Sequence, residues 1–230
     1  MSKTGRVGQE TAEVGRRKRG RPKGAKSSNV AGEATRAKLV EISLDLFSRR
    51  GFSGVSIGAL SEASGVAKGS ITHHYPNKRK LYGAVLKVVG EGLGEACAGA
   101  YDPELTLSER LNCLMDGVLN WAREHQSQAR MIAYELLELP ERDELPKNWV
   151  LGQNLEQTLT LLQQGQDHGF LIKECSAVTL LEMILGFAVF NVMHKPFAGL
   201  MIENQDLARQ PEFTSEARTL LSRALYPMAA

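Results

Sequence analysis

The chain has 230 residues, 43% of them apolar, which is enough to bury a globular core and too many for a disordered protein. Its net charge of +2 hides an asymmetry: residues 1–30 carry nine Lys/Arg against two Glu, residues 31–80 eight against four acidic residues, and residues 81–230 eleven against twenty. A basic first third on an acidic remainder predicts a phosphate-binding head and a body that DNA repels.

Residues 1–31 are polar, Gly-rich and basic, with too few apolar groups to offset chain entropy, and are expected to be a disordered tail. They show no signal-peptide pattern, and a cytoplasmic protein is expected. Within the tail, Arg19-Gly20-Arg21-Pro22 resembles an AT-hook core. Gly20 leaves a narrow groove unobstructed, Pro22 restrains the chain, and two arginines can follow the negative potential of an A·T minor groove. A plain basic tail that raises non-specific affinity is the alternative, and a nuclear-targeting patch is a third.

From Gly32 onward the apolar spacing is helical, with no period-two run, so the fold class expected is all-α. A first helix is predicted from Gly32 to Arg50, with Leu39, Ile42, Leu46 and Phe47 on one face, Val40 and Leu44 widening it, and Gly51 beyond its end. Ser56 can cap a short second helix that points Leu60 and Ala63 inward. Ser64-Gly65-Val66 reads as a turn, Lys68 to Tyr75 as a third helix, and Pro76 stops it before Asn77 caps the next. Two short helices joined by a tight Gly turn and braced by a longer one make a helix-turn-helix pattern, predicted over residues 32–80. A generic three-helix bundle fits the spacing as well, but the candidate recognition helix carries Lys68, Ser70, Thr72, His73 and His74 and no acidic residue.

Residues 35–86 resemble the TetR/AcrR family of regulators. The pairs Leu46-Phe47, Gly51-Phe52 and Ser56-Ile57 fall in its register, as do Ala63-Ser64-Gly65-Val66, Lys68-Gly69, His74-Tyr75 and Lys78. The resemblance implies a dimeric DNA-binding regulator with a diverged sensor half. It implies that Ser56 and Lys78 contact phosphates, and that Lys68, Gly69, Ser70, Thr72 and His73 lie in the major groove. His74 and Tyr75 would close the small domain, with His74 also near the DNA backbone. The chain departs from the pattern at three places. Ala67 stands where a Ser or Thr cap is usual, which should cost about 1 kcal/mol. Thr72 replaces a common phosphate-contacting tyrosine. Arg79 and Lys80 replace residues that are often acidic and oppose the helix dipole there, while adding attraction for phosphate.

Residues 81–230 are expected to form a larger helical effector-binding and dimerisation domain. A helix from Asn77 to Ala98 points Leu81, Tyr82, Val85, Leu86, Val89 and Leu93 inward, and its glycines predict a bend or fraying near residues 90–94. Gly90-Glu91-Gly92-Leu93-Gly94 has neither the spacing nor the preceding strand of a nucleotide loop. Thr106 to Glu109 makes a capping box before Leu111, Leu114, Met115, Val118 and Ala122. Further helices are predicted over Gln128–Leu139 (stopped by Pro140), Asn148–Gln166 (with Gly169 terminating), Ser176–Lys195 and Thr214–Tyr226. The stretch Ala177 to Met193 is apolar nearly all round, yet Glu182 and Asn191 interrupt it and it reads as short for a membrane span. The resemblance implies that the last two main helices form an intersubunit four-helix bundle, which suits palindromic DNA; a buried helix in a monomer is the alternative.

A ligand cavity is expected between residues 77 and 195, lined by Met115, Trp121, Met131, Tyr134, Phe187, Phe190 and His194, and suited to a largely apolar small-molecule effector. Ordinary core is an equal reading for each of these residues singly. Cys97, Cys113 and Cys175 lack metal or disulfide spacing, and His73-His74 are adjacent and do not share a helix face, so no metal and no cofactor is expected. Paired carboxylates and nucleophile elbows are missing, which argues against an enzyme. The functional expectation is a repressor released from a palindromic operator by an effector; a ligand-independent architectural or activating DNA-binding protein is the alternative.

Overall fold

In a computed structural model, residues 25–138, 151–201 and 213–226 are described, and the regular elements among them are all helices. They are α1 (Ala25–Arg50), α2 (Ile57–Ser64), α3 (Lys68–His74), α4 (Lys78–Ala96), a 3-10 turn (Ala98–Tyr101), α5 (Leu107–Glu124), α6 (Gln126–Glu138), α7 (Leu151–Asp167), α8 (Ala177–Met201) and α9 (Phe213–Leu225). The chain divides into two units, residues 1–35 and 36–230. In the first, residues 25–35 are helical, with the Thr35 hydroxyl donating to Ala31 O at 2.9 Å. The helix thus begins seven residues before the expected Gly32. An Ala- and Lys-containing segment joined to a formed helix adds a backbone bond per residue without a new nucleation cost. The Arg19-Gly20-Arg21-Pro22 motif lies outside the described residues, as does Pro140.

Residues 36–230 cluster as one unit, so the head and body expected on either side of residue 80 share an apolar core. Phe47, Phe52 and Tyr82 are the joint: the Tyr82 ring meets each phenylalanine edge-on at 5.0 Å, tying α1 to α4. α5 is central, against α4, α7, α8 and α9, and contributes the buried Leu111, Leu114, Met115, Val118 and Trp121. Its capping box forms in both directions: Glu109 N–H donates to the Thr106 hydroxyl at 3.3 Å, and Thr106 N–H donates to the Glu109 carboxylate at 2.8 Å. The first hydrogen bond of the carboxylate, from the Thr106 hydroxyl, is the larger cause of a Glu109 pKa below its ordinary value.

α4 stays helical to Ala96, where fraying was expected. Tertiary contact offsets the glycine penalty: the space a Gly92 side chain would take is filled by the Gln128 carboxamide, whose oxygen also accepts from the Trp121 indole at 3.3 Å. α7 ends where Gly169 turns with φ +75°, and Phe170 and Leu171 N–H both donate back to Gly165 O. α8 runs six residues past the expected end at Lys195 and reaches Met201. Its segment Ala177–His194 is long and apolar enough by length and composition to cross a membrane, which corrects the reading that it is too short. Leu180, Ile184 and Ala188 face the core, whereas Val178, Met183, Phe190 and Met193 are exposed. α9 is fastened to α5 by Arg218, whose guanidinium pairs with the Asp116 carboxylate and donates to Asn112 Oδ1 at 3.1 Å.

Candidate nucleic-acid interface

The α2–turn–α3 unit is built by local hydrogen bonding. Ser56 caps α2, its hydroxyl accepting from Ala59 N–H at 3.1 Å. The turn needs a left-handed residue, and Gly65 supplies it with φ +66°. Ser64, rather than the expected Ala63, occupies the inner position beside Leu60: Ser64 is buried and Ala63 exposed. The Ser64 hydroxyl donates to Leu60 O at 2.6 Å and accepts from Val66 N–H at 3.2 Å, so it closes the turn as well as filling it. Eight residues are two turns, too short a window for apolar spacing to fix the inner face by itself.

α3 buries Ile71 alone and presents Lys68, Gly69, Thr72 and His73 to solvent, with Ser70 and His74 half-exposed. No side-chain cap forms at Ala67, as its methyl requires. Gly69 faces open space, so a groove wall can approach its backbone. The Thr72 hydroxyl is turned back on its own helix, donating toward Lys68 O and Gly69 O at 3.2 and 3.0 Å. Lys68 reaches across to α2: a Cβ built at Gly58 would lie 3.6 Å from the Lys68 ammonium and 3.4 Å from the Ser56 hydroxyl. The structure therefore brings Ser56 and Lys68 to one notch over Gly58, a donor pair of the kind that holds a phosphate oxygen.

Lys78 is used differently from its sequence expectation. Its ammonium donates to Phe52 O and Val55 O, both at 2.8 Å, and sits 4.2 Å from the Phe52 ring centroid. It clamps the turn ahead of α2 to the start of α4, where Asn77 caps by accepting from Lys80 N–H at 2.9 Å. Arg79 and Lys80 are exposed beside it. Arg36 is a residue the sequence reading passed over: it donates to His74 O at 3.3 Å and lies over the Tyr75 ring. Burial pushes the Tyr75 phenol up, with the Arg36 charge opposing that shift. The spacing of 38 residues between Arg36 and His74 leaves no local signal for such a contact.

The joint to the body runs through α6. Tyr134 OH donates to Arg49 O at 3.1 Å, Phe52 N–H donates to Glu138 Oε1 at 3.0 Å, and Tyr82 OH donates to the buried Glu135 at 2.7 Å. The expected cavity-lining residues are dispersed. Met115, Trp121 and Met131 are buried core, Tyr134 belongs to this joint, Phe187 packs against the core, and Phe190, 65% exposed, stacks on His194 on the outer face of α8. A cleft lies elsewhere, between Leu93, Gly94, Cys97 and Tyr101 at the end of α4, Leu114 and Val118 of α5, Leu155 and Thr158 of α7, and Leu181 and Leu185 of α8. It holds about 380 Å³ of empty space counted to its open side, of which the centre of a water molecule has about 40 Å³. Helical periodicity separates inward from outward positions and cannot separate core from cavity wall, which is why the sequence nominated a different set.

Residues 39–85 match the family model described as bacterial regulatory proteins, TetR family. The HTH-type transcriptional regulator AcrR of Shigella flexneri is 30% identical over 71 residues, which is 31% of this chain and only a third, 33%, of that relative. An HTH-type transcriptional repressor of Streptomyces coelicolor is 23% identical over 174 residues, 76% of this chain and 86% of the relative. The crystal structure of AibR in complex with isovaleryl coenzyme A and operator DNA shares the fold, with a TM-score of 0.65, 15% identity, and coverage of 84% of this chain and 100% of that one. Residues 39–85 thus resemble the helix-turn-helix of the TetR family, and the all-helical architecture is the one seen in solved regulators of that type.

Proposed function

We propose that the protein is a homodimeric repressor, acting in the cytoplasm, that leaves a palindromic operator when a small molecule enters the cleft at the end of α4. The observation that carries the DNA-binding half is the exposed, acid-free surface of α3 together with the Ser56–Lys68 notch. Lys68, Gly69, Ser70, Thr72 and His73 enter the major groove; Ser56, Arg79 and Lys80 take phosphates; His74 and Tyr75 brace α3 from behind. Lys78 acts mainly by positioning the turn, with one ammonium proton left for DNA. Two recognition helices must stand about 34–36 Å apart to read successive major grooves. The apolar outer faces of α8 and α9 support a two-fold partner, since Phe190, Met193 and Leu220 are exposed without it. The repressor name of the Streptomyces relative and the operator and acyl coenzyme A in the AibR complex support the sign and the ligand response. Arg19, Gly20, Arg21 and Pro22 extend the footprint into an adjoining A·T minor groove.

An occupant of the cleft presses on the last turn of α4, whose first turn is fixed to the DNA-binding head by Lys78. By linkage, operator must weaken effector binding by the factor that effector weakens operator binding. The narrowness of the cleft favours one second reading, a ligand-independent architectural or activating protein. Selection of duplexes from a random pool at about 150 mM salt, where non-specific phosphate binding is weak, tests the first. A palindrome enriched by the full chain and by residues 32–230, with flanking A·T runs enriched by the full chain alone, is the expected result. No enriched sequence overturns the operator reading.

A further inference from the structure

Among the described residues, the ten that line the cleft include no charged side chain, which restricts what it can hold. The polar side-chain groups on those residues are two hydroxyls and a thiol. Tyr101 OH and Thr158 Oγ1 are 2.7 Å apart and hydrogen-bonded to each other, Tyr101 on the 3-10 turn after α4 and Thr158 buried on α7. All three are neutral groups: burial pushes the Cys97 thiol up to about 12 and raises the Tyr101 phenol as well. Leu93, Leu114, Val118, Leu181 and Leu185 make the rest of the wall apolar. An ionised ligand group would lose its water here with no counter-charge to replace it. A hydroxyl or carbonyl oxygen loses much less, because the Tyr101–Thr158 pair can exchange its mutual bond for bonds to the newcomer.

We propose that the effector is an uncharged, largely apolar molecule with a single hydroxyl or carbonyl group, its chain among the leucines of α5 and α8 and its oxygen set between Tyr101 and Thr158. The proposal rests on the effector-site reading above. It excludes free carboxylates and amines from the cleft. Insertion at the hydroxyl pair separates α7 from the segment that continues α4, so the recognising groups are also those whose displacement reaches the DNA-binding head.

A matched six-carbon series tests this on the full chain at pH 7.5: 1-hexanol, 1-chlorohexane, hexanoate and hexylammonium, with Kd from ligand-observed NMR titration. Hexanol and chlorohexane are expected to bind, and the two ions at least about 100-fold more weakly, the cost of an uncompensated buried charge. Leu155→Trp, at the partly exposed mouth, should abolish binding, and Leu185→Trp is the second blocking variant, each checked for native helicity and Tm. Tyr101→Phe should weaken hexanol about three- to ten-fold, the loss of one hydrogen bond, and leave chlorohexane unchanged. An equal loss for both probes would overturn the anchor, because a packing defect treats them alike. Hexanoate or hexylammonium binding as tightly as hexanol, with sensitivity to Leu155→Trp, would overturn the ligand class while leaving the cleft as an effector site. No binding by any probe, or binding indifferent to both blocking variants, would overturn the proposal and the effector-site reading together.

Discussion

Lys68 and Lys78 are ten positions apart in the same basic segment and do different things. Lys68 lies open over Gly58, free to meet a phosphate, whereas the Lys78 ammonium is engaged by two backbone carbonyls. Lys68→Met is expected to leave Tm unchanged and to lower the slope of log K against log salt by about 0.9, the counterion release of one phosphate contact. Lys78→Met is expected to cost about 1–3 kcal/mol of stability through its charged hydrogen bonds, read by urea denaturation, with little change in that slope. Glu109 carries a pH signature of its own. Its pKa is lowered in the folded chain by the Thr106 hydroxyl first and the Thr106 N–H second, so its contribution is present above the ordinary carboxylate range and is lost as pH falls through the lowered value. The Tm difference between the native chain and Glu109→Gln, small because the site is exposed, should be seen at pH 7, shrink as pH falls through the ordinary carboxylate range, and vanish only below the lowered pKa. Caps such as Ser56, Asn77 and Thr106 were legible in sequence because donor and acceptor lie three residues apart on one strand of chain. Arg36 on His74 and Glu138 on Phe52 were not, because chain closure over 38 and 86 residues leaves no periodic trace.

At the scale of elements, α3 is held by less than its neighbours. It has no cap at Ala67 and buries only Ile71, so its geometry depends on the Gly65 turn and on Tyr75 beneath Arg36. Ala67→Ser should restore a first-turn acceptor and raise stability by about 1 kcal/mol, measured by thermal melting; unchanged Tm would show that the first turn is already satisfied by other means. The helix ends beside Gly51, Gly65, Gly169 and Pro76 were legible to within a few residues, since those residues act locally, whereas the start of α1 and the end of α8 were missed by seven and six residues. The persistence of α4 through Gly92 was not legible, because the Gln128 carboxamide and the Trp121 indole that pack there come from other helices. The same limit applies to the choice of Ser64 over Ala63 on the inner side of α2.

For the molecule as a whole, the coupling elements are α4 and α6, which carry Lys78, Tyr82, Tyr134 and Glu138 onto the segment Arg49–Val55, with Glu135 joining the two helices by accepting from Tyr82. An exposed apolar face on α8, the proposed seat of a second copy, lies far along the chain from these. Phe190→Glu should shift the protein from dimer to monomer by light scattering and abolish palindrome binding while leaving the monomer folded. A dimer that persists with a charge at that position would place the interface elsewhere. The amino-acid sequence by itself determined the helical class, the helix-turn-helix with its caps and glycine turns, and the basic-to-acidic polarity of the chain. All of these follow from short-range periodicity, local hydrogen bonding or composition. The cleft, the inward use of Lys78 and the α6 joint were decided only by the tertiary structure, because each depends on groups from several helices meeting, and periodicity gives the direction a side chain faces but not what it finds there.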